Sequence, residues 1–240
     1  MEIKYSVILP TYNEKNNIGR LIDEIYTQLG LETEVIVVDD NSPDGTWQKV
    51  EEISCFYPGL KLIRRMKDHG LVASLREGIE KAKGEIIIWL DADGSMPATK
   101  IPELIQGLSQ GYDLVAGSRF VPGGGVELIT GSADSMTGFF LSFLLNRWCE
   151  FLLGRWFHDY TSGFVAIKKD VLKNLPLRGD YGEYFIALVY EAHRQGYRLL
   201  EIPYINRPRW EGQSKTGLNL FDYLKRGWKY FWLTLKLRFL

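Results

Sequence analysis

The sequence predicts an α/β domain built on a mostly parallel central sheet with helices on both faces. Three observations predict it. Short strand-like apolar runs alternate with amphipathic helical patterns from Tyr5 to Ala116, which is the signature of a parallel sheet joined by right-handed crossovers. The run Ile86-Ile87-Ile88-Trp89-Leu90 is apolar without alternation, as a strand buried on both faces requires. Two strands then run straight into acids, Asp39-Asp40 and Asp91-Ala92-Asp93. Sheets of this kind bind ligands beyond the carboxyl ends of their strands.

The elements follow in order. Tyr5 to Leu9 reads as the first strand, ended by Pro10, which lacks a ladder donor. Thr11-Tyr12-Asn13-Glu14 leads into a helix capped by Thr11 or Asn13. Its apolar face is Ile18, Leu21, Ile22, Ile25 and Leu29, and Gly30 fits its end. Glu34 to Val38 is the second strand, Asn41 to Gly45 is turn chemistry, and a helix starts at Thr46. Leu60 to Ile63 is a third strand. Gly70 to Lys83 is a helix packing through Ala73, Ile79 and Ala82 and stopped by Gly84, and Glu85 to Leu90 is the fourth strand. Tyr112 to Ala116 is the fifth, and a later strand spans Tyr197 to Pro203.

Composition narrows the class. The chain of 240 residues is 45% hydrophobic and 25% charged with a formal net charge of -1, so it fits a globular α/β domain with no general attraction to nucleic acid. Cys55 and Cys149 stand far apart without metal or redox spacing, as expected in a reducing, cytoplasmic setting, although two cysteines can pair. The first residues enter a strand directly, so no secretory leader is expected. No uninterrupted apolar stretch reaches the roughly 18 residues of a spanning helix.

The chemistry sits after the strands. Neither Gly-x-Gly-x-x-Gly nor a lysine-bearing glycine-rich loop follows the first strand, where the chain reads Pro-Thr-Tyr-Asn-Glu, and no Walker pattern occurs, which argues against a dehydrogenase, a P-loop enzyme and a nucleotidyltransferase. Gly123-Gly124-Gly125 comes late and reads as a flexible loop. Paired carboxylates at a strand end suit a hard divalent cation bridging diphosphate oxygens, while a second acid pair suits hydrogen bonds to a base or ribose. The plainer alternative for Asp91 and Asp93 is a pair of turn formers, and for Tyr12 and Asn13 loop packing and capping.

Val7 to Glu14, then Val37-Val38-Asp39-Asp40-Asn41-Ser42-Pro43-Asp44-Gly45-Thr46, then Asp91-Ala92-Asp93 together resemble the family 2 glycosyltransferases, and within them the dolichol-phosphate mannose synthase branch. The resemblance continues through Gly117-Ser118-Arg119-Phe120, Asp159 to Phe164, the Gly-Tyr-x-x-x-Glu-x-Pro pattern ending at Pro203, and Arg209-x-x-Gly212-x-Ser214-Lys215. It implies a GT-A fold: a Rossmann-like, mostly parallel sheet with helices on both faces, plus amphipathic interfacial helices. Residues 1–118 would form the nucleotide-sugar half and 119–215 the acceptor half. By the same likeness Pro10, Tyr12, Asn13, Glu14, Asp39, Asp40, Asp91 and Ala92 would line the nucleotide site, and Asp91 and Asp93 would hold Mg²⁺ or Mn²⁺. Ser118, Arg119, Arg207, Arg209, Ser214 and Lys215 would bind the acceptor and its phosphate, with Asp93, Arg119 and Arg209 the catalytic set. A surface ion pair with Glu127 or Asp134 is the alternative for Arg119.

The implied reaction is inverting transfer of a hexose from a nucleotide sugar, GDP-mannose favoured, to a polyprenyl or dolichyl phosphate. An acceptor phosphate is already anionic and needs no base; a hydroxyl acceptor would need one, for which Glu183 and Asp159 are candidates. Glu183 reads equally as a solvent-facing helix residue. Two departures leave the assignment open. Leu128 to Thr137 lacks the basic residues that the synthases carry there, and Asp93 is followed by Gly94-Ser95 in place of bulkier residues. A UDP-sugar transferase acting on a hydroxyl and a non-catalytic nucleotide-binding scaffold are the other readings.

Two stretches suit a membrane surface. Residues 136–157 are dense in Phe, Leu and Trp but interrupted by Asn146, Arg147 and Glu150. Residues 216–240 form an amphipathic helix with Phe221, Leu224, Trp228, Phe231, Leu235 and Phe239 on a stripe and Lys225, Arg226, Lys229 and Lys236 largely off it. Docking of that helix on the protein's own core is the alternative. The expected location is peripheral, on the cytoplasmic face of a membrane.

Overall fold

A computed structural model of the chain describes residues 3–127, 133–212 and 220–239, with side chains described there except at 133–137 and 220–226. The strands are β1 (Tyr5–Thr11), β2 (Thr33–Asp39), β3 (Leu60–Arg64), β4 (Ile86–Trp89), β5 (Leu114–Ser118), β6 (Gly125–Val126), β7 (Val165–Lys168), β8 (Leu199–Pro203) and β9 (Ile205–Asn206). The helices are α1 (Lys15–Leu29), α2 (Thr46–Ile53), α3 (Leu71–Lys81), α4 (Ile101–Ser109), α5 (Ala133–Leu153), α6 (Lys169–Leu172), α7 (Tyr184–Arg194) and α8 (Leu220–Phe239).

Seven strands form one sheet in the order β3-β2-β1-β4-β7-β5-β8. All neighbours are parallel except β7, which runs antiparallel to both β4 and β5. Because β7 is antiparallel to both neighbours, β5 and β8 point the same way as β1, β2, β3 and β4. The carboxyl ends of those six strands therefore lie at one edge. β6 and β9 pair separately, so the triple-glycine stretch becomes a turn and a short strand, not a flexible loop.

Alternation along each strand divides the core. Ile8, Ile36, Val38, Ile87 and Trp89 face α3, α5 and α7, with Tyr230, Leu233 and Leu237 of α8 packed against them. Val7, Leu9, Val35, Val37 and Ile88 face α1, α2 and α4. The Trp89 indole donates to the Tyr184 hydroxyl at 2.8 Å, which satisfies the polar ends of two buried rings.

Several local expectations are corrected. β1 continues through Pro10, paired with Val38 of β2. Strand alternation turns the Pro10 nitrogen toward the β4 side, where pairing has already ended at Ile8 and Trp89, so the missing donor costs no ladder bond. Neither Thr11 nor Asn13 caps α1: its N-cap is Glu14, without a side-chain cap. The loop after β2 serves instead. Asp44 accepts from the Lys15 amide at 3.1 Å, and the Thr46 hydroxyl accepts from the Glu14 amide at 2.8 Å. α3 buries Val72, Ser74, Leu75 and Gly78; of the expected packing residues, Ala82 is in the core, Ile79 packs against it and Ala73 is half-buried. Gly84 marks a close approach, since a Cβ there would sit 2.7 Å from the Ser6 nitrogen.

α8 docks on the protein through Tyr230, Leu233, Thr234 and Leu237, a stripe of i, i+3, i+4 and i+7 beside the one expected. Phe231 stacks on Trp148 of α5, whose indole donates to Thr234 at 2.9 Å. Trp228, Trp232 and Phe239 remain exposed. Among the described residues no helix is long and apolar enough to cross a membrane, and both cysteines are unpaired.

Helix α3 rests on the sheet at Gly78, where a Cβ would lie 2.5 Å from Ile8 Cγ2 and 3.2 Å from Val38 Cγ2. Gly78→Ala is expected to destabilise the fold by about 1–3 kcal/mol through overpacking, read as a lower urea midpoint at unchanged slope.

Candidate active site

The first acid pair is committed to the scaffold. Asp39 is fully buried and accepts from the Ser42 amide (2.8 Å), the Ser42 hydroxyl (2.6 Å) and the Thr11 hydroxyl (3.0 Å). Ser42 in turn receives the Asn13 amide at 2.9 Å, which holds Asn13 in its left-handed conformation at φ 56°. Asp40 accepts from Arg65 (2.8 Å), the Ser74 hydroxyl (2.9 Å) and the Gly70 amide at the start of α3 (2.7 Å). Arg65, also buried, bonds Glu77 at 3.0 Å. The Asp-Asp-x-Ser-x-Asp-Gly-Thr string thus locks the loops around the β1 and β2 ends. Pro10 and the exposed Tyr12 lie on this rim, and Glu14 is buried with Asn17 donating to it at 2.6 Å.

The second acid pair stands at the end of β4. Ala92 between them packs into the core, which turns the flanking carboxylates the other way. Asp93 accepts from the Ser95 amide at 2.9 Å and from Arg209 at 2.8 Å, and Arg209 also reaches Glu14 at 3.7 Å. Asp91 is solvent-accessible but ringed by protein. This enclosure, then the neighbouring charge of Asp93, pushes its carboxyl up to about 7, with Arg209 pulling the other way. Two carboxylates one residue apart at a strand end fit a hard divalent cation, which would favour the ionised forms. Among the described residues no cluster of three or more acids, histidines or cysteines forms a complete protein cage. The pair therefore suits a cation that completes its shell with water and phosphate oxygens.

Residues 207–211 lie across this site as a strap. The Arg207 amide donates to the Ser95 carbonyl (2.9 Å) and the Trp210 amide to the Asp93 carbonyl (3.1 Å). Glu211 receives Asn16 at 2.7 Å on its side chain and Asn17 at 3.1 Å on its backbone. The Trp210 ring lies on Gly94, where a Cβ would fall 2.2 Å from it, and Arg20 stacks 4.0 Å from the ring centroid. Arg207 is exposed. Ser214 and Lys215 lie outside the described residues.

Arg119 follows β5 at the same edge. It pairs with the buried Asp159: the amide (2.9 Å) and Nε (2.8 Å) donate to Oδ2, and Nη2 donates to Oδ1 (2.7 Å); the side chain of Asp134 lies outside the described residues. Burial opposes its charge, but the Asp159 carboxylate overrides this and keeps the guanidinium protonated. Nη2 also donates to the Thr161 hydroxyl at 2.8 Å, which meets Ser142 and Asn146 of α5. Ser118 is buried, its hydroxyl turned to the Phe120 amide. Beside Arg119 opens a groove of about 640 Å³ lined by Phe120, Pro122, Phe139, Phe140 and Phe143. Asp159 is occupied by Arg119 and so is not free to act as a base. Glu183 is buried, not solvent-facing, and burial followed by Asp180 raises its carboxyl.

Sequence reasoning missed the Arg65 clamp, the Asp159 partner and the Trp210 contact. For the last, Gly94 directly after Asp93 was the signal, since a missing side chain invites a ring.

A mostly parallel sheet thus gathers two acid pairs, an arginine strap and a second arginine beside an apolar groove at one edge. The chain belongs to glycosyl transferase family 2, whose model matches residues 6–175. It is 35% identical over 232 residues to a dolichol-phosphate mannosyltransferase of Pyrococcus furiosus, covering 93% of this chain but only 62% of that protein. It is 32% identical to a polyprenol monophosphomannose synthase of Mycolicibacterium smegmatis, covering 89% and 82% of the two chains. In fold it is similar to Mycobacterium tuberculosis glucosyl-3-phosphoglycerate synthase in complex with Mn²⁺, UDP-glucose and phosphoglyceric acid (TM-score 0.72, 20% identity, 98% and 79% coverage). A Pyrobaculum calidifontis mannosyltransferase in complex with GDP-mannose and Mn²⁺ gives 0.61 at 19% identity, covering 95% and 65%.

Gly94→Ala places a methyl against Trp210 at a φ of 80°. It is expected to cost about 1–3 kcal/mol of stability and to lift the strap, read as a lower melting temperature and increased proteolysis between residues 207 and 212.

Proposed function

We propose that this protein transfers mannose from GDP-mannose to a polyprenyl phosphate at a membrane surface, with inversion at the anomeric carbon. The observation that carries this reading is Arg119 at the mouth of an apolar groove on the same sheet edge as Asp91 and Asp93. A guanidinium beside aromatic and proline side chains suits a phosphate head on an apolar tail. The names of the Pyrococcus and Mycolicibacterium relatives point to the same substrates.

The groove supports a phosphate over a hydroxyl acceptor. Its described lining contains Arg119 but no carboxylate, and a phosphate monoester brings its own negative charge and needs no base. One acceptor phosphate oxygen attacks the anomeric carbon, and the bond from that carbon to the nucleoside diphosphate breaks on the opposite face. A bound Mg²⁺ or Mn²⁺ held by Asp91 and Asp93 would supply charge neutralisation for the leaving diphosphate. Arg209, already between Asp93 and Glu14, steadies phosphate oxygens as the strap holds it in place. Residues 1–118 serve the donor and 119–215 the acceptor.

The surface for the lipid is built from α5 and α8. Phe140, Phe143 and Phe151 on α5 and Trp228, Trp232 and Phe239 on α8 are exposed, with Lys229, Lys236 and Arg238 among them. Aromatic rings with basic residues suit the interface of an anionic bilayer. The two unpaired cysteines agree with the cytoplasmic face.

The test is transfer of labelled mannose from GDP-mannose to polyprenyl phosphate in vesicles. The wild type should label the lipid and lose activity on chelation, with recovery on added Mn²⁺ or Mg²⁺. Asp91→Asn and Asp93→Asn should each lower the rate by at least about 10²-fold. Label from a UDP-sugar appearing only in a hydroxyl-linked glycan would overturn the reading. Trp228→Ser with Trp232→Ser should weaken cosedimentation with anionic vesicles while leaving the melting temperature within a few degrees, because both rings are exposed.

A further inference from the structure

We infer that Glu201 on β8 is a positioning residue for Arg119 and acts through Asp159; its catalytic consequence rests on the reading of Arg119 as the contact to the acceptor phosphate. Glu201 touches neither the groove nor the acid loop. Its side chain is 7% exposed, and its two oxygens are divided between consecutive residues. Oε1 accepts from the Asp159 amide at 2.9 Å. Oε2 accepts from the His158 amide at 2.8 Å and lies 2.9 Å from His158 Nδ1.

That clamp matters because of what Asp159 carries. Asp159 belongs to no helix or strand but to the connection between α5 and β7, and its carboxylate makes three bonds to Arg119. A loop residue that orients a charged fork needs its backbone fixed, since small displacements of a binding group reduce rate steeply. Glu201 supplies the fixed point from the ladder that also bears Arg119. It is the register partner of Ala116 on β5, and Pro203 is that of Ser118, one residue before Arg119. Arginine, aspartate and glutamate are thus referred to one pair of parallel strands.

The carboxylate chemistry is specific. Two neighbouring buried amides need two acceptors, and an ionised carboxylate is acceptor-only. Glutamine would turn its NH₂ toward one of the two N–H groups and leave that donor unmatched. Aspartate would keep the charge but fall short by one methylene.

The experiment is a double-mutant cycle, with a magnetic-resonance readout that requires no substrate. Glu201→Gln is expected to lower transfer to polyprenyl phosphate roughly ten- to a hundredfold, with the KM for GDP-mannose and the slow hydrolysis of GDP-mannose without acceptor unchanged. In the Arg119→Gln background the same change should lower transfer by less than about twofold, because its effect already runs through Arg119. In ¹⁵N-labelled protein, the Arg119 Nε–Hε signal, assigned by its loss in Arg119→Lys, should shift and exchange faster in Glu201→Gln. If Glu201→Gln does not fold, Glu201→Asp takes its place in each comparison. An unchanged Arg119 signal, or the same loss of rate in both backgrounds, would overturn the inference. A wild type that transfers nothing to polyprenyl phosphate would instead overturn the functional reading, and the Arg119 signal would still decide the role of Glu201.

Discussion

The enclosure of Asp91 beside a second carboxylate is the constraint around which this site is arranged. Asp91 and Asp93 follow the same strand on either side of the core alanine Ala92. Enclosure by protein, and after it the charge of Asp93, brings Asp91 up to about 7. Relief comes from far along the chain, since Arg209 reaches Asp93 at 2.8 Å. An acid pair placed where six strand ends lie together is prepared for a positive partner.

The strap that delivers Arg209 is matched to the acid loop by shape as well as charge. Trp210 lies where any side chain at position 94 would stand, and Arg20 covers the other face of the ring. The glycine after Asp93, which from sequence alone left the identity of the sugar open, has a packing cause. It makes room for the strap. Backbone bonds from Arg207 and Trp210, and the bonds of Asn16 and Asn17 to Glu211, hold residues 207–211 against both the acid loop and the start of α1.

Much of the fold was legible because its signals are local. The apolar run before Asp91 could be placed as a buried strand from its lack of alternation, and the acids after two strands marked the edge where their carboxyl ends lie. The strand reversal at β7 was not legible: Val165–Lys168 is four residues long, and its direction is set by partners on β4 and β5. Pro10 misled because proline normally ends strands, whereas here its neighbouring strand has already stopped. The partners of Asp40, at Arg65, and of Arg119, at Asp159, lie 25 and 40 residues away. Each is an ordinary surface charge when read in sequence. The helical stripe of α8 was displaced by about one position because aromatic residues lie on both sides of the helix, so periodicity did not distinguish the docked face from the exposed one.

On the proposed reading, α5 would serve both a surface and an anion. On its outer face α5 exposes Phe140, Phe143 and Phe151. On its inner face Ser142 and Asn146 meet the Thr161 hydroxyl, which receives Arg119 at 2.8 Å. These faces are fixed relative to each other by the helix itself, so the depth of the aromatic residues in any surrounding medium sets the height of the guanidinium. Ser142 and Phe143 are consecutive, and i to i+1 neighbours on a helix point about 100° apart. One lines the polar network while the other lines the groove. An apolar chain lying along the groove would therefore bring its anionic end to Arg119 without a separate recognition element. The polar network beneath, neutralised by Asp159 and held in register by β5 and β8, keeps that arginine from retreating into the core.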